Sequence, residues 1–264
     1  MTIPSTIISV QDYNNHLNKS PTSQFSFNTS LQPFSSSGTK DILSTKTRIL
    51  NPGYHCLIKG DGVNGSTAFS DSTKTFTLID SGGATISTAT SKFGGASVFC
   101  SSTTRAQFQA TTVPTNMNLA AWSGDWTYEF FCNYQNGAST SRMISRFAGV
   151  YDSSIRFENS TLHAFYFEPP SNIIRTLAYS LTRPTNQWVH VAFVKFGTAL
   201  YLYYQGTRVR TSSCTGSAMD MRQFDIGRNP DGSEFFEGYL DEIRFSNFAR
   251  YTASTYTVPT SSYV

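Results

Sequence analysis

Residues 124–134 read GDWTYEFFCNY. In an extended chain successive side chains point to opposite sides, so Trp126, Tyr128, Phe130 and Cys132 share one face, with Thr127, Glu129 and Asn133 opposite. This pattern predicts a core strand with one solvated face. The same reading of ALYLYY (199–204) turns Leu200, Leu202 and Tyr204 inward and leaves Tyr201 and Tyr203 on the outer face.

Outward from these two stretches, the chain from Asn51 onward shows short apolar or β-branched runs at regular intervals, separated by Gly, Pro, Asn and Asp clusters. Such spacing predicts an all-β sandwich. Strands are expected at 54–59, 76–79, 96–100, 106–110, 126–134, 142–147, 154–158, 161–167, 188–196, 199–204, 207–210, 223–226 and 238–245. Asn229-Pro230-Asp231-Gly232 reads as a turn, because Pro pre-sets φ at the second position and Gly accepts the last. Helix is expected at most as short turns near 117–121 and 248–252. The Phe235-Phe236 pair reads either as core or as an exposed anchor for a partner.

Composition agrees. Aromatic residues make up 14% of the 264, with 21 Phe and 14 Tyr, and charged residues only 14%. Aromatic and β-branched side chains suit a pleated, half-buried surface. A net charge of +3, with no basic run longer than a pair, gives no reason to expect nucleic acid as a partner. Cys56, Cys100, Cys132 and Cys214 lack the spacing of a zinc site. They are read as reduced core residues, which fits assembly in a reducing cytoplasm. The start, MTIPSTIISVQDYNN, has neither a basic n-region nor a sustained apolar run, so no ordinary signal peptide is expected. No apolar run is long enough to predict membrane insertion.

The chain is read as two parts, an arm over 1–50 and a sandwich over 51–264. The arm is polar and rich in Ser, Thr and Asn, with Phe25, Phe27, Leu31 and Phe34 scattered without period. Such a segment can hardly bury enough surface to fold alone. It is therefore read as an irregular anchoring or assembly arm whose apolar residues need another surface.

Five segments in order, LIKGDGVNGSTAFSDSTK (57–74), KFGGASVFC (92–100), GDWTYEFFCNY (124–134), NQWVHVAFVKFGTALYLYYQG (186–206) and FDIGRNPDGSEFFEGYLDEIRFSNFARYTASTYTVPT (224–260), carry a resemblance. Together they resemble the laminin-G-like, concanavalin A-like domains of phage tail-fibre and other virion proteins. Ala249-Arg250-Tyr251-Thr252, followed by Pro259, is particularly similar to the viral members. The resemblance covers roughly residues 54–260. It implies two antiparallel sheets in a jelly-roll sandwich. It also implies a structural and interaction part of a virus or phage particle, as capsid decoration, fibre or tail. Residues 1–50 would then contact other virion proteins, and a homo-oligomer such as a trimer would be expected. Host surface glycans are the further partner implied. The alternative is a free lectin-like or receptor-binding protein. The arm favours the particle, since a free lectin has little use for it.

Sandwich-fold glucanases share this architecture, so the sequence bears on catalysis. Glycoside hydrolysis needs two carboxylates on one cleft. No Glu-x-Asp-x-Glu strand exists, and Asp231, Glu234, Glu237, Asp241 and Glu242 have the wrong spacing. G-x-S-x-G and H-E-x-x-H are missing. His16, His55, His163 and His190 are scattered and read as structural. No catalytic residue is expected. For a cofactor, only a structural calcium is considered. Asp61 opens the sandwich and Asp241 closes it, and in the resembled fold the terminal strands pair. Ca²⁺ takes several oxygen ligands, whereas plain turn and strand-end hydrogen bonds are the competing reading. Candidate glycan-binding residues are Tyr201 and Tyr203 on the outer face and Trp122 in a Ser/Gly loop.

Overall fold

The computed structural model describes residues 54–110, 124–137, 139–146, 153–168, 173–215 and 223–264. Phe25, Phe27, Leu31 and Phe34 of the expected arm, the candidate Trp122, and the turn expected at 117–121 lie outside these residues. The described residues contain no helix. At 248–252, where a helical turn was expected, the chain runs through bends.

In chain order the strands are β1 (Tyr54–Ile58), β2 (Phe76–Asp80), β3 (Thr85–Ser87), β4 (Ser97–Cys100), β5 (Ala106–Ala110), β6 (Trp126–Gly137), β7 (Thr140–Arg146) and β8 (Ser154–Glu158). They continue as β9 (Thr161–Glu168), β10 (Ile173–Ser180), β11 (Trp188–Phe196), β12 (Ala199–Tyr204), β13 (Thr207–Ser213), β14 (Gln223–Ile226) and β15 (Phe236–Ser246). One sheet runs β13-β12-β11-β6-β15-β4-β3, with β1 also paired to β15, and the other runs β10-β9-β8-β7-β14-β5-β2. All these pairings are antiparallel, and the two sheets form the jelly-roll sandwich. Every expected strand is present within a few residues. β3 and β10 were not foreseen. β10 is an edge strand in which only Leu177 is buried, so it shows no apolar alternation.

The core lies between the sheets. Trp126, Phe130 and Cys132 from β6, Val191 and Phe193 from β11, Phe157, Tyr166, Phe224 and Phe245 are all essentially inaccessible. Leu200 and Leu202 point into this core as expected, and so does Phe236, whereas Phe235 stays partly exposed. All four cysteines are buried. The turn at 229–232 closes through Gly232 N–H to the Asn229 carbonyl at 3.0 Å, with φ of 86° at Gly232.

Candidate functional site

The outer face of the eight-stranded sheet departs from expectation. Thr127 and Glu129 are fully buried and Asn133 nearly so, not solvated. The C-terminal segment, residues 247–263, lies across this face as a partial third layer. Thr127 Oγ1 donates to the Phe248 carbonyl and accepts from the Arg250 amide. Glu129 accepts from Tyr251, Tyr263 and Arg244, and His190 is held between the Tyr256 and Tyr263 hydroxyls at 2.7 and 2.9 Å. Burial alone would push the Glu129 carboxyl up, but His190, Arg244 and Tyr251 hold it down at about 2.

This layer also covers the two tyrosine candidates to different extents. Tyr203 is fully buried, and its hydroxyl donates to the carbonyls of Tyr251 and Ala253. Tyr201 is half-buried, with the Arg208 guanidinium 4.4 Å above its ring. The correction has a simple cause: parity assigned both tyrosines to the outer face, but it carries no information on what covers that face. The Tyr203 ring is not open to stack on a sugar.

The expected pairing of the terminal strands is present, with Ile58 opposite Ile243. β15 bulges here: its register on β6 jumps from Asp241↔Phe131 to Arg244↔Glu129, and Glu242 adopts a φ of 51°. Glu242 is held there by Ser262 Oγ and the Tyr263 amide. The bulge turns Asp241, 1% exposed, towards the 89–95 loop, where its Oδ2 accepts the Lys92 and Phe93 amides at 2.8 and 3.1 Å. Its Oδ1 is buried without a partner. Burial pushes this carboxyl up to about 7, against those two hydrogen bonds. Asp61 is exposed and sits against Gly94 of the same loop, where a Cβ would collide with its carboxylate. Asp241 thus makes the hydrogen bonds of the competing reading and keeps one oxygen that a cation would suit. No group of three or more His, Cys, Asp or Glu is gathered for a metal among the described residues.

The face of the seven-stranded sheet is different. Its outward positions carry His163 and Phe165 on β9, Ser154, Arg156 and Glu158 on β8, Arg142 and Ser145 on β7, Asp225 on β14 and Gln107 on β5, in one cross-strand register. Charges alternate along it. Arg142 donates to Glu234 and Ser154, Arg156 to Glu158 at 2.8 Å, Arg228 to Asp225 at 3.0 Å and Arg105 to Asp80 at 2.6 Å. Gln107 Nε2 completes Asp225 at 2.7 Å. The middle of the ladder is buried, whereas Glu158, Glu234 and Asp80 at its margins reach solvent. The His163 and Phe165 rings lie nearly parallel, with centroids 5.5 Å apart, and Arg156 sits 4.3 Å from the Phe165 centroid. His163 Nδ1 is buried without a partner, so the structural reading of this histidine is incomplete. Burial lowers its pKa, against the nearby Glu158 carboxylate.

Sequence reading missed this ladder because its partners are distant along the chain. Arg142 and Glu234, or Gln107 and Asp225, meet only through the order β7-β14-β5. The one signal was the charged outward parity of SIRFE and TLHAF (154–158 and 161–165). Chemically, the face offers paired donors and acceptors beside an aromatic platform. A general acid needs a carboxyl in an apolar pocket, and these carboxylates lie among guanidiniums instead.

In fold the chain is similar to the receptor-binding domain of botulinum neurotoxin D (TM-score 0.57, 10% identity, covering 74% of this chain and 49% of that one). It is equally similar to the binding domain of Paraclostridial Mosquitocidal Protein 1 (TM-score 0.59, 13% identity, 76% and 50%). The botulinum neurotoxin type G receptor-binding domain gives 0.55 at 6% identity, with 74% and 47% covered. The chain therefore spans about half the length of these structures. No curated protein matches the chain in sequence. The model of the family Laminin_G_3 matches residues 105–254, more than half of the chain and including β6, the seven-stranded-sheet ladder from β7 to β14, and β15. The chain belongs to the concanavalin A-like lectin/glucanase superfamily.

Proposed function

We propose that this chain is a non-enzymatic binding module that engages surface glycans through the face of its seven-stranded sheet, as a structural and interaction component of a virus or phage particle. In that role it is a capsid-decorating, fibre or tail part, held to other virion proteins through residues 1–50, and works as a homo-oligomer outside the cell. The observation that carries the binding reading is the cross-strand ladder of Arg142, Arg156, Arg228 and their carboxylates beside Phe165. Ligand sites of this kind combine a few fixed polar groups with aromatic surface. The absence of catalysis is supported by the same geometry, since each carboxylate of the ladder faces a guanidinium rather than a second carboxyl across a cleft.

The second reading, a free receptor-binding protein, is favoured by the fold it shares with structures named as receptor-binding domains of toxins. One experiment addresses both. Full-length protein is applied to a glycan array and, in parallel, incubated with β-glucans. Saturable glycan binding without release of reducing sugar is expected. Turnover lost on changing Glu237 or Asp241 would overturn the non-enzymatic reading. Recovery of the protein in purified particles separates the particle component from the free binder.

A further inference from the structure

We infer that the bulge at Asp241 and Glu242 is a two-sided latch: seating of Ser262 and Tyr263 on Glu242 holds the 89–95 loop against Asp241, so that displacing the C-terminal segment loosens that loop.

Glu242 is a non-glycine residue at φ 51° inside β15, a strand paired with β1, β4 and β6. A left-handed conformation is costly for a residue with a Cβ and persists only where its surroundings over-determine it. Two bonds do so here. The Ser262 hydroxyl donates to Oε1 at 2.6 Å and the Tyr263 amide to Oε2 at 2.8 Å. The extra residue also decides where its neighbour goes. Leu240 and Ile243 both belong to the core, three residues apart, where regular alternation would group 240 with 242. Asp241 and Glu242 therefore sit together between two core residues, each 1% exposed. Asp241 holds the loop through the Lys92 and Phe93 amides, and Glu242 holds the C-terminal segment.

A second, apolar route joins the same two segments. The Tyr263 and Phe131 ring centroids are 6.3 Å apart, and Phe131 meets Phe93 edge-on at 5.5 Å. Tyr263 is fixed in turn by its hydroxyl on Glu129 and His190, and by the Arg244 guanidinium 3.5 Å from its ring centroid. The start of the loop is pinned separately: the Thr90 carbonyl accepts from Ser97 Oγ at 2.7 Å, and Thr90 Oγ1 from Trp188 Nε1 at 3.1 Å. The part left to respond is Lys92–Gly95, with Gly94 and Gly95 at φ of 65° and 87° as its hinge.

Coupling between sites needs a contiguous network and an element with two discrete arrangements. The Glu242 backbone is that element. A partner that draws residues 262–263 away removes what holds its φ, Asp241 turns with it, and the Lys92 and Phe93 amides lose their acceptor. Such coupling is reciprocal, so freeing the loop must also loosen the segment.

The test is amide hydrogen exchange on full-length protein with chelator present, read residue by residue. Glu242→Ala is expected to speed exchange at Lys92 and Phe93 at least about tenfold, and Ser262→Ala about fivefold, the usual size of couplings between sites. Leu162 and Ala164 of β9, paired on both sides in the other sheet, are expected to stay within about twofold, which separates local release from global loosening. In the reverse direction, Asp241→Ala is expected to speed exchange at the Tyr263 amide. Unchanged exchange at Lys92 and Phe93 in either of the first two variants would overturn the latch. So would an equal rise at Leu162 and Ala164, the mark of general destabilisation, or a Tyr263 amide indifferent to Asp241→Ala.

Discussion

Arg244 donates from both Nε and Nη2 to a single oxygen of Glu129, at 2.8 and 2.7 Å, across the central pair of strands β6 and β15. The other oxygen takes the hydroxyls of Tyr251 and Tyr263 from the C-terminal segment. Glu129 is therefore the point where two strands and the third layer meet, although parity alone had assigned it to a solvated face.

The first expected outcome follows. Removing one partner of a buried pair leaves an uncompensated charge and costs about 3–5 kcal/mol. Emptying the volume of Trp126 or Phe130 costs about the same. Glu129→Ala should therefore destabilise as much as Trp126→Ala or Phe130→Ala in urea unfolding. A cost near that of a surface change would show that the C-terminal layer does not hold in solution.

The same site gives an acid dependence. His190, Arg244 and Tyr251 hold the Glu129 carboxyl down to about 2 in the folded protein, against an ordinary value of 4.5. A depressed folded value means stability that is present above about pH 4.5 and lost as the pH falls towards 2. The shift corresponds to roughly 3 kcal/mol. Melting curves should fall steeply across that window in the wild type and more gently in Glu129→Gln.

How this site escaped the sequence is instructive. Alternation in 126–134 located β6 and its core face, because a two-residue period is local. What covers the opposite face depends on residues 248–263, over a hundred positions away and without period of their own. Turn chemistry was legible at 229–232 for the same local reason, and β10 was not, because an edge strand with one buried residue carries no pattern. Cross-strand ion pairs such as Arg142–Glu234 depend on sheet order, which the resemblance supplied only as an architecture.

Asp241 should behave oppositely to Glu129. Burial raises its carboxyl to about 7 from 3.8, so the folded state holds a proton that the unfolded state has lost between these values. Its contribution is present below about pH 4 and lost as pH rises through 7. We expect Asp241→Asn to raise the melting temperature at pH 8 in the presence of chelator. If calcium occupies the unpartnered Oδ1 together with Asp61, then calcium should stabilise the wild type at pH 8 and leave Asp241→Asn unchanged. Equal melting with calcium and with chelator in the wild type would leave Asp241 to the Lys92 and Phe93 amides alone.

Gly238 tests the register of the central strands. Its φ is 152°, and a Cβ there would collide with the Asn133 carbonyl on β6 and crowd the Phe236 ring. Backbone cannot yield as a side chain can, so Gly238→Ala should push β15 off β6 and cost on the order of 1–3 kcal/mol or more. Gly65, with nothing near the same position, serves as a control for positive φ alone.

The last expectation concerns residues 1–50 and decides between particle component and free binder. Among the described residues, Cys56 and Ile58 are the first contributors to the core. Deleting 1–50 should therefore leave the sandwich folded with near-unchanged melting. Burying a side chain such as Phe25, Phe27, Leu31 or Phe34 contributes about 1.5–3 kcal/mol, while ordering each backbone residue costs about 1–2 kcal/mol. Four such side chains fall far short of ordering fifty residues, so the arm needs hydrogen bonds to a partner as well. The truncated protein should lose co-sedimentation with assembled particles while keeping its glycan binding. Full occupancy without the arm would remove the anchoring role, and unfolding of the truncated protein would move the arm into the sandwich itself. Retained glycan binding with lost incorporation is the one combination that a free lectin has no reason to show.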